Sequence, residues 1–187
     1  MTVGDDKLTY DSDPSSPEIS LLDLKIHLNS VISDACKEAL YITADITNYY
    51  LNNRMSNLQY IRIHIKDILH EVIVEYSLLS ISDSSGYVNV KIRKGVYGLK
   101  EAGIIAYKRL VINLQSNGYA PVENTPGLWN HSTIATNFTL VVDNFGIKFF
   151  SANDATHLLD ALQENYSITI DPSGSKYYVL AINWNYP

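Results

Sequence analysis

Cysteine is almost missing from this chain. Cys36 is the only one in 187 residues, so no disulfide and no cysteine-built zinc site can form within it, which fits a reducing compartment. Long apolar runs are missing too: no stretch approaches the roughly 18 to 20 uninterrupted apolar residues of a spanning helix. The N-terminus carries no basic-then-apolar leader pattern. The expected setting is therefore soluble and intracellular, cytoplasmic or nuclear, with no membrane partner. The sequons at Asn130, Asn137 and Asn165 are then chance matches, because glycosylation requires secretion. A basic surplus is also absent, since 14 Lys and Arg face 20 Asp and Glu for a net charge of -6. That argues against a free-standing nucleic-acid module held by a basic surface. It does not exclude an enzyme that gathers carboxylates at a metal site and leaves phosphate contacts to neighbouring segments. The histidines, His27, His64, His70, His131 and His157, show no ligand-like spacing, and no internal repeat is visible.

What remains, with 46% apolar and 18% charged residues, is the composition of an ordinary globular domain. Residues 1–19 read as an irregular polar arm with one short strand around Lys7 to Tyr10. From Ser20, a good N-cap, Leu21, Leu24, Leu28 and Val31 have helical spacing. Leu40 to Ala44 reads as a strand that stops at Asp45. Tyr60 to Ile65 alternates as a half-buried strand does, Lys66 to Leu79 has helical spacing, and Tyr87 to Arg93 alternates again. After a glycine-punctuated loop, Glu101 to Gln115 reads as a helix stopped by Gly118. Phe138 to Val142 and Ile147 to Phe150 then form a hairpin around an Asp143 to Gly146 turn. A helix over Ala152 to Tyr166, a strand over Ser167 to Ile170 and a terminal strand over Tyr177 to Trp184 complete the chain.

From Leu40, with an insertion over about 46–95 set aside, the order is strand, helix, strand, strand, helix, strand. That order predicts an α+β, ferredoxin-like domain, a helix-backed antiparallel sheet. In it the first and second strands run parallel with the third between them. Asp45, ending the first strand, and Asp143, in the turn between second and third, then share one edge. Neighbouring strands lie about 4.8 Å apart, close enough for two carboxylates to share a hard divalent cation such as Mg²⁺ or Mn²⁺. The plainer alternative stays open, because an Asp closing a strand is a common turn former and Asp-Asn suits a hairpin.

Three segments, in order, resemble the reverse transcriptase domain of retrotransposons, especially copia-like elements. Ala44-Asp45-Ile46-Thr47-Asn48-Tyr49-Tyr50-Leu51 resembles the first catalytic motif, an Asp followed by an aromatic pair. Lys94-Gly95-Val96-Tyr97-Gly98-Leu99-Lys100-Glu101-Ala102-Gly103 resembles the substrate and template loop, usually Tyr-Gly-Leu-Lys-Gln at its heart. Leu140-Val141-Val142-Asp143-Asn144-Phe145 resembles the metal-binding hairpin, in which two Asp residues normally stand together. Tyr60 to Ile63, Thr125 to Trp129 and Tyr177 to Tyr186 also look like family segments, so the resemblance spans nearly the whole chain.

The resemblance implies a polymerase palm with partial fingers over 20–187 and the start of a primer-grip hairpin. It implies template-directed nucleotidyl transfer on RNA or DNA template-primer with dNTPs. Asp45, Asp143 and the Ile46 carbonyl would hold two Mg²⁺ (or Mn²⁺) ions about 3.5 to 4 Å apart, with Asn144 beside them. Tyr50, Gly98, Lys100 and Glu101 would face the nucleotide. The departures point the other way. Asn144 stands where a second Asp is expected, Glu101 replaces Gln, Val179 replaces Gly, and Asn183 and Asn185 stand where acids are expected. Relative to the family, a basic fingers segment, thumb, RNase H and integrase regions are outside this sequence. The expected activity is weak or absent. Negligible binding to primer-template is expected at physiological salt. A decayed, non-catalytic remnant and an unrelated ferredoxin-like interaction module remain alternatives.

Overall fold

The structure, a computed structural model, describes residues 17–174 together with the backbone of 176–177 and 182–183. The expected strand at Lys7 to Tyr10, Val179 and Asn185 lie outside the described residues.

The chain begins with α1 (Leu21–Ser33), opened by the Ser20 hydroxyl, which accepts from the Asp23 N–H at 3.1 Å. After β1 (Leu40–Ile46) the insertion contributes β2 (Arg54–His64), the short α2 (His70–Glu75) and β3 (Tyr87–Lys94). Then come α3 (Lys100–Ser116), β4 (Tyr119–Pro121), β5 (Leu128–His131), β6 (Asn137–Val141) and β7 (Asn144–Phe149). The elements α4 (Ala152–Gln163), β8 (Ile168–Asp171), β9 (Lys176–Tyr177) and β10 (Ile182–Asn183) follow. A capping box holds the start of α4, with Ser151 and Asp154 satisfying each other's backbone N–H groups.

Six strands form one antiparallel sheet in the order β4-β5-β6-β7-β1-β8. Since β7 is antiparallel to both β6 and β1, β1 and β6 run parallel with β7 between them. This is the α+β, ferredoxin-like arrangement expected from the order of elements, with the insertion forming its own two-stranded sheet of β2 and β3.

Strand period decides which side chains meet which helix. Ile42, Ala44 and Ile46 of β1 and Phe145, Ile147 and Phe149 of β7 face α3 and α4, meeting Ala106, Leu110, Leu114, Leu158 and Leu162 in the main core. Tyr41 and Val141 face the other way and pack with Leu24, Leu28 and Val31 of α1. On that second face Lys148 is buried. Its ammonium reaches Asp34 at 2.7 Å and the Ser30 carbonyl and hydroxyl at 3.0 Å each, tying α1 to β7. Asp45 is two residues beyond Thr43 on the same face, at the end of the strand.

Four local expectations are corrected. The helix expected over Lys66 to Leu79 is a 3-10 turn at Ile65–Asp67, α2 over His70–Glu75 and another 3-10 turn at Leu78–Ser80. Ser77 at φ 50 breaks the run. The strand expected from Tyr60 begins earlier, at Arg54, and carries an irregularity between Arg54 and Gln59. The hairpin turn is centred on Val142 and Asp143 rather than on Asp143 to Gly146, because Asn144, Phe145 and Gly146 all pair with β1. The terminal strand over Tyr177 to Trp184 is instead two strands, Tyr177 pairing with Ile182 across an antiparallel ladder.

Candidate functional site

The site is built where β1 ends. In register, Asp45 lies between Asn144 of β7 and Thr169 of β8. One residue on, the Ile46 N–H donates to the Asp143 carbonyl at 3.0 Å, locking the hairpin turn to the strand end. Thr47 N–H donates to the Ser167 carbonyl at 2.9 Å on the other side. The backbone ladder thus delivers Asp45 and Asp143 to one edge. Both line an open cavity of about 480 Å³ together with Ile46, Thr47, Asn48, Tyr97, Asn144 and Thr169.

Two backbone conformations at this edge are unusual. Val142, at φ 57, is a β-branched residue in the left-handed region, where Cβ crowding makes it a genuine outlier. Asn48, at φ 56, is a residue type that visits that region more readily. Strained backbone of this kind is characteristic of functional edges. The surrounding ladder fixes it here.

The electrostatics follow from burial and charge. Burial first, and the Asp45 charge second, push the Asp143 carboxyl up to about 6, while the Asn144 side chain opposes the shift. That opposition is a hydrogen bond, Asn144 Nδ2 donating to Asp143 Oδ1 at 2.9 Å. Burial also raises the Asp45 carboxyl. Among the described residues neither makes an ion pair with Lys, Arg or His. Nor do the described residues contain a group of three or more His, Cys, Asp or Glu placed to hold a metal. The edge offers two carboxylates and an amide.

The aromatic residues form the wall. Tyr50 is half-buried and meets Tyr97 edge to face, ring centroids 4.8 Å apart. Burial, then Asp143, raises both phenols. Gly95 sits against the same turn, where an added Cβ would lie 2.6 Å from the Tyr50 carbonyl oxygen. The other loop residues go elsewhere. Gly98, at φ 94, makes the turn into α3, and neither Gly98 nor Lys100 lines the cavity. Glu101 is directed away from the cavity. It is buried and accepts from Ser56 Oγ at 3.0 Å, Asn57 Nδ2 at 2.7 Å and Gln59 Nε2 at 2.6 Å.

Sequence reasoning therefore brought together Asp45, Ile46, Asp143 and Asn144, with Tyr50 one ring behind. It missed Tyr97, although Tyr97 stands inside the quoted loop motif. Thr169 had no local signal, because only the β1–β8 register reveals it.

No protein-family model and no curated protein matches the chain. Among solved structures it is similar to apo telomerase from Candida tropicalis truncated from the C-terminal domain, at 13% identity and a TM-score of 0.43, over 86% of this chain and 37% of that one. It is also similar to telomerase from Candida albicans in complex with the TWJ fragment of telomeric RNA, at 13% identity and a TM-score of 0.45, over 90% of this chain and 32% of that one. The chain spans about a third of the length of these structures. Among its described residues no helix is long and apolar enough to cross a membrane.

Proposed function

We propose that this domain is the palm of a retroelement-type reverse transcriptase, copia-like in its motifs, and that its nucleotidyl-transfer activity is weak or lost. The observation that carries the reading is the convergence of Asp45 and Asp143 on one cavity without, among the described residues, a cationic side chain between them. Two partly desolvated carboxylates in this state favour a cation. The donor chemistry, carboxylate oxygens with an amide and backbone carbonyl beside them, fits Mg²⁺ or Mn²⁺. Asp45, Asp143 and the Ile46 carbonyl are the residues that would hold such ions. Bound metal would supply Lewis-acid activation of a primer hydroxyl and charge stabilisation at a leaving pyrophosphate.

The chain's own residues set the rest. Asp143 must be ionised to serve, so its raised pKa makes metal affinity increase through pH 6 and above. Tyr97, with Tyr50 packed edge to face behind it, provides an apolar wall for a sugar or base at the cavity. A non-catalytic remnant is the second reading, favoured by one contact: the Asn144 amide already occupies Asp143 Oδ1. That bond takes one of the oxygen's acceptor sites and competes with a metal for it.

Mn²⁺ titration of wild type and Asp143→Ala, paired with primer extension, separates these readings. Saturable Mn²⁺ binding lost in Asp143→Ala, with extension lost alongside, supports a working palm. Metal binding without extension supports the remnant. Equal Mn²⁺ binding by wild type and an Asp45→Ala, Asp143→Ala double variant rejects the site altogether.

A further inference from the structure

The connector at the tip of the insertion, between β2 and β3, is apolar on its outside. Leu69, Val74, Tyr76, Leu79 and Ile81 are each 63 to 71% exposed. Elsewhere among the described residues only Leu22, Tyr60 and Ile112 reach 60% for a large apolar side chain, and those three stand far apart in the chain. The connector is nonetheless built. The Ile65 N–H donates to the Gly86 carbonyl at 2.9 Å and the Asp83 N–H to the Tyr87 carbonyl at 2.8 Å, which closes the tip. The Asp83 carboxylate accepts in turn from the Tyr87 N–H at 2.9 Å and from Arg62 at 2.7 Å. Inside, Ile73, Leu78 and Val88 form a small core with Ile65, Ile68 and Val72, and the five exposed side chains lie outside it. Apolar side chains gathered on a folded surface segment mark a place that another molecule covers.

The charges around these side chains decide what that molecule is. Asp67, Glu71 and Glu75 stand on the same connector, all exposed, and among the described residues none is in an ion pair. Lys66 and His70 are the basic side chains of residues 65–86. Arg62 on the adjoining strand is already engaged by Asp83 and stacks over the Tyr87 ring at 4.1 Å. Three unpaired acids repel phosphate and an anionic membrane, and they repel a second copy approaching tip to tip. Strand addition is also closed. The backbone of the connector is satisfied within its own turns, Ile73 N–H on the Leu69 carbonyl, Tyr76 on Val72 and Ile81 on Leu78, so side chains alone must hold the partner.

We propose that this tip docks a cationic amphipathic helix of another protein, with the apolar face of that helix on Leu69, Val74, Tyr76, Leu79 and Ile81 and its Lys or Arg side chains at Asp67, Glu71 and Glu75. A helix presents such anchors at i, i+3, i+4 and i+7 without needing a free strand edge. The eight residues of β3 separate the tip from the loop that carries Tyr97, a span of roughly 25 Å. The surface is therefore independent of the Asp45 edge, and failure of either reading leaves the other standing.

The test is fluorescence anisotropy of the full chain with a labelled Leu/Lys peptide of about 15 residues, its Leu at helical spacing, beside a counterpart in which every Lys is Glu. Wild type should bind the Lys peptide saturably and ignore the Glu peptide. Leu79→Ser with Ile81→Ser should weaken binding at least about tenfold. Glu71→Lys with Glu75→Lys should weaken it about fivefold and admit the Glu peptide. Leu22→Ser with Ile26→Ser, exposed apolar residues on α1, should change nothing. All substituted side chains are exposed, so the variants should melt with wild type. Equal binding of the two peptides, no saturable binding, or binding untouched by the Leu79 and Ile81 substitutions overturns the site. Dimerisation in sedimentation that those substitutions abolish makes a second copy the occupant, and pelleting with phosphatidylserine vesicles makes it a membrane; either result overturns the proposal as well.

Discussion

At neutral pH and without metal, removing the Asp143 charge should stabilise the protein. The folded-state pKa of this acid is raised from 3.8 to about 6, so the protonated form suits the fold and the carboxylate strains it. The linked stability is fully present below the unfolded value near pH 4 and is lost as pH rises through about 6. A shift of about two units corresponds to roughly 3 kcal/mol. Asp143 is only partly buried, and solvent screening cuts this to about 1 to 1.5 kcal/mol. Asp143→Asn keeps an acceptor for the Asn144 amide while abolishing the charge. At pH 7.5 in EDTA it should therefore raise Tm by about 3 to 5 °C in a chain of this size. At pH 4 the two proteins should melt together. Adding 10 mM Mg²⁺ should close the gap: a Kd near 1 mM gives wild type about 1.4 kcal/mol, and the variant gains little. Thermal melts at both pH values, with and without Mg²⁺, contain the whole test. A pH-independent difference between the proteins, or an Asp143→Asn variant no more stable than wild type at pH 7.5, refutes the reasoning.

Glu101→Gln, which introduces the residue usual in the loop motif the sequence resembles, should destabilise by about 1 to 3 kcal/mol, since a carboxylate accepting three hydrogen bonds becomes an amide with one acceptor; a urea melt showing no loss would place its role elsewhere. The Asp34 carboxyl is held down to about 2, by Lys148 first and Lys37 second. Its stabilising contribution is thus present above the unfolded value near pH 4 and lost as pH falls toward 2, so the Tm difference between wild type and Asp34→Asn should close over that window, and a constant difference would rule out the ion pair as its cause. Gly95→Ala should displace the Tyr50 turn, costing about 1 to 3 kcal/mol by overpacking and changing tyrosine fluorescence; an unchanged melt and spectrum would show that the turn yields freely.

The sheet was legible because its strands advertise themselves. Leu40 to Ala44, Phe138 to Val142 and Ile147 to Phe150 are rich in apolar, β-branched and aromatic residues, and the two intervening helices have clean spacing, so connection order sufficed to bring Asp45 and Asp143 to one edge. What escaped is what depends on distant register. Tyr119–Pro121 is too short to signal a strand, and its pairing with Trp129 to His131 makes it one. Asp-Asn chemistry drew the turn to Asp143 to Gly146. The β1–β7 ladder instead claims Asn144 and leaves Val142 in the left-handed position. The loop resemblance puts Glu101 at a nucleotide, whereas the donors that hold it lie 42 to 45 residues upstream, beyond any local pattern. The apolar tip was hidden because helical spacing over Lys66 to Leu79 predicts one buried face, whereas the run breaks at Ser77 and leaves Leu79 and Ile81 exposed.

Asn144 joins the strained turn to the charge at this edge. It sits opposite Asp45 in the ladder and donates to Asp143, so it faces two acids with a neutral group that satisfies one of them. A third carboxylate there would add like-charge repulsion worth about 0.2 to 1 kcal/mol across the strands and forfeit the amide hydrogen bond. In metal-free buffer at pH 7.5, Asn144→Asp should therefore lower Tm. With a divalent ion present the same added charge becomes a ligand or a close counter-charge, and Asn144→Asp should bind Mn²⁺ more tightly than wild type and be stabilised more by it. The sign of the Tm difference then inverts as Mn²⁺ is titrated. A merely structural asparagine predicts loss at every metal concentration, and a surface asparagine predicts no change. Either result would remove Asn144 from the metal edge and with it the explanation offered here for weak activity.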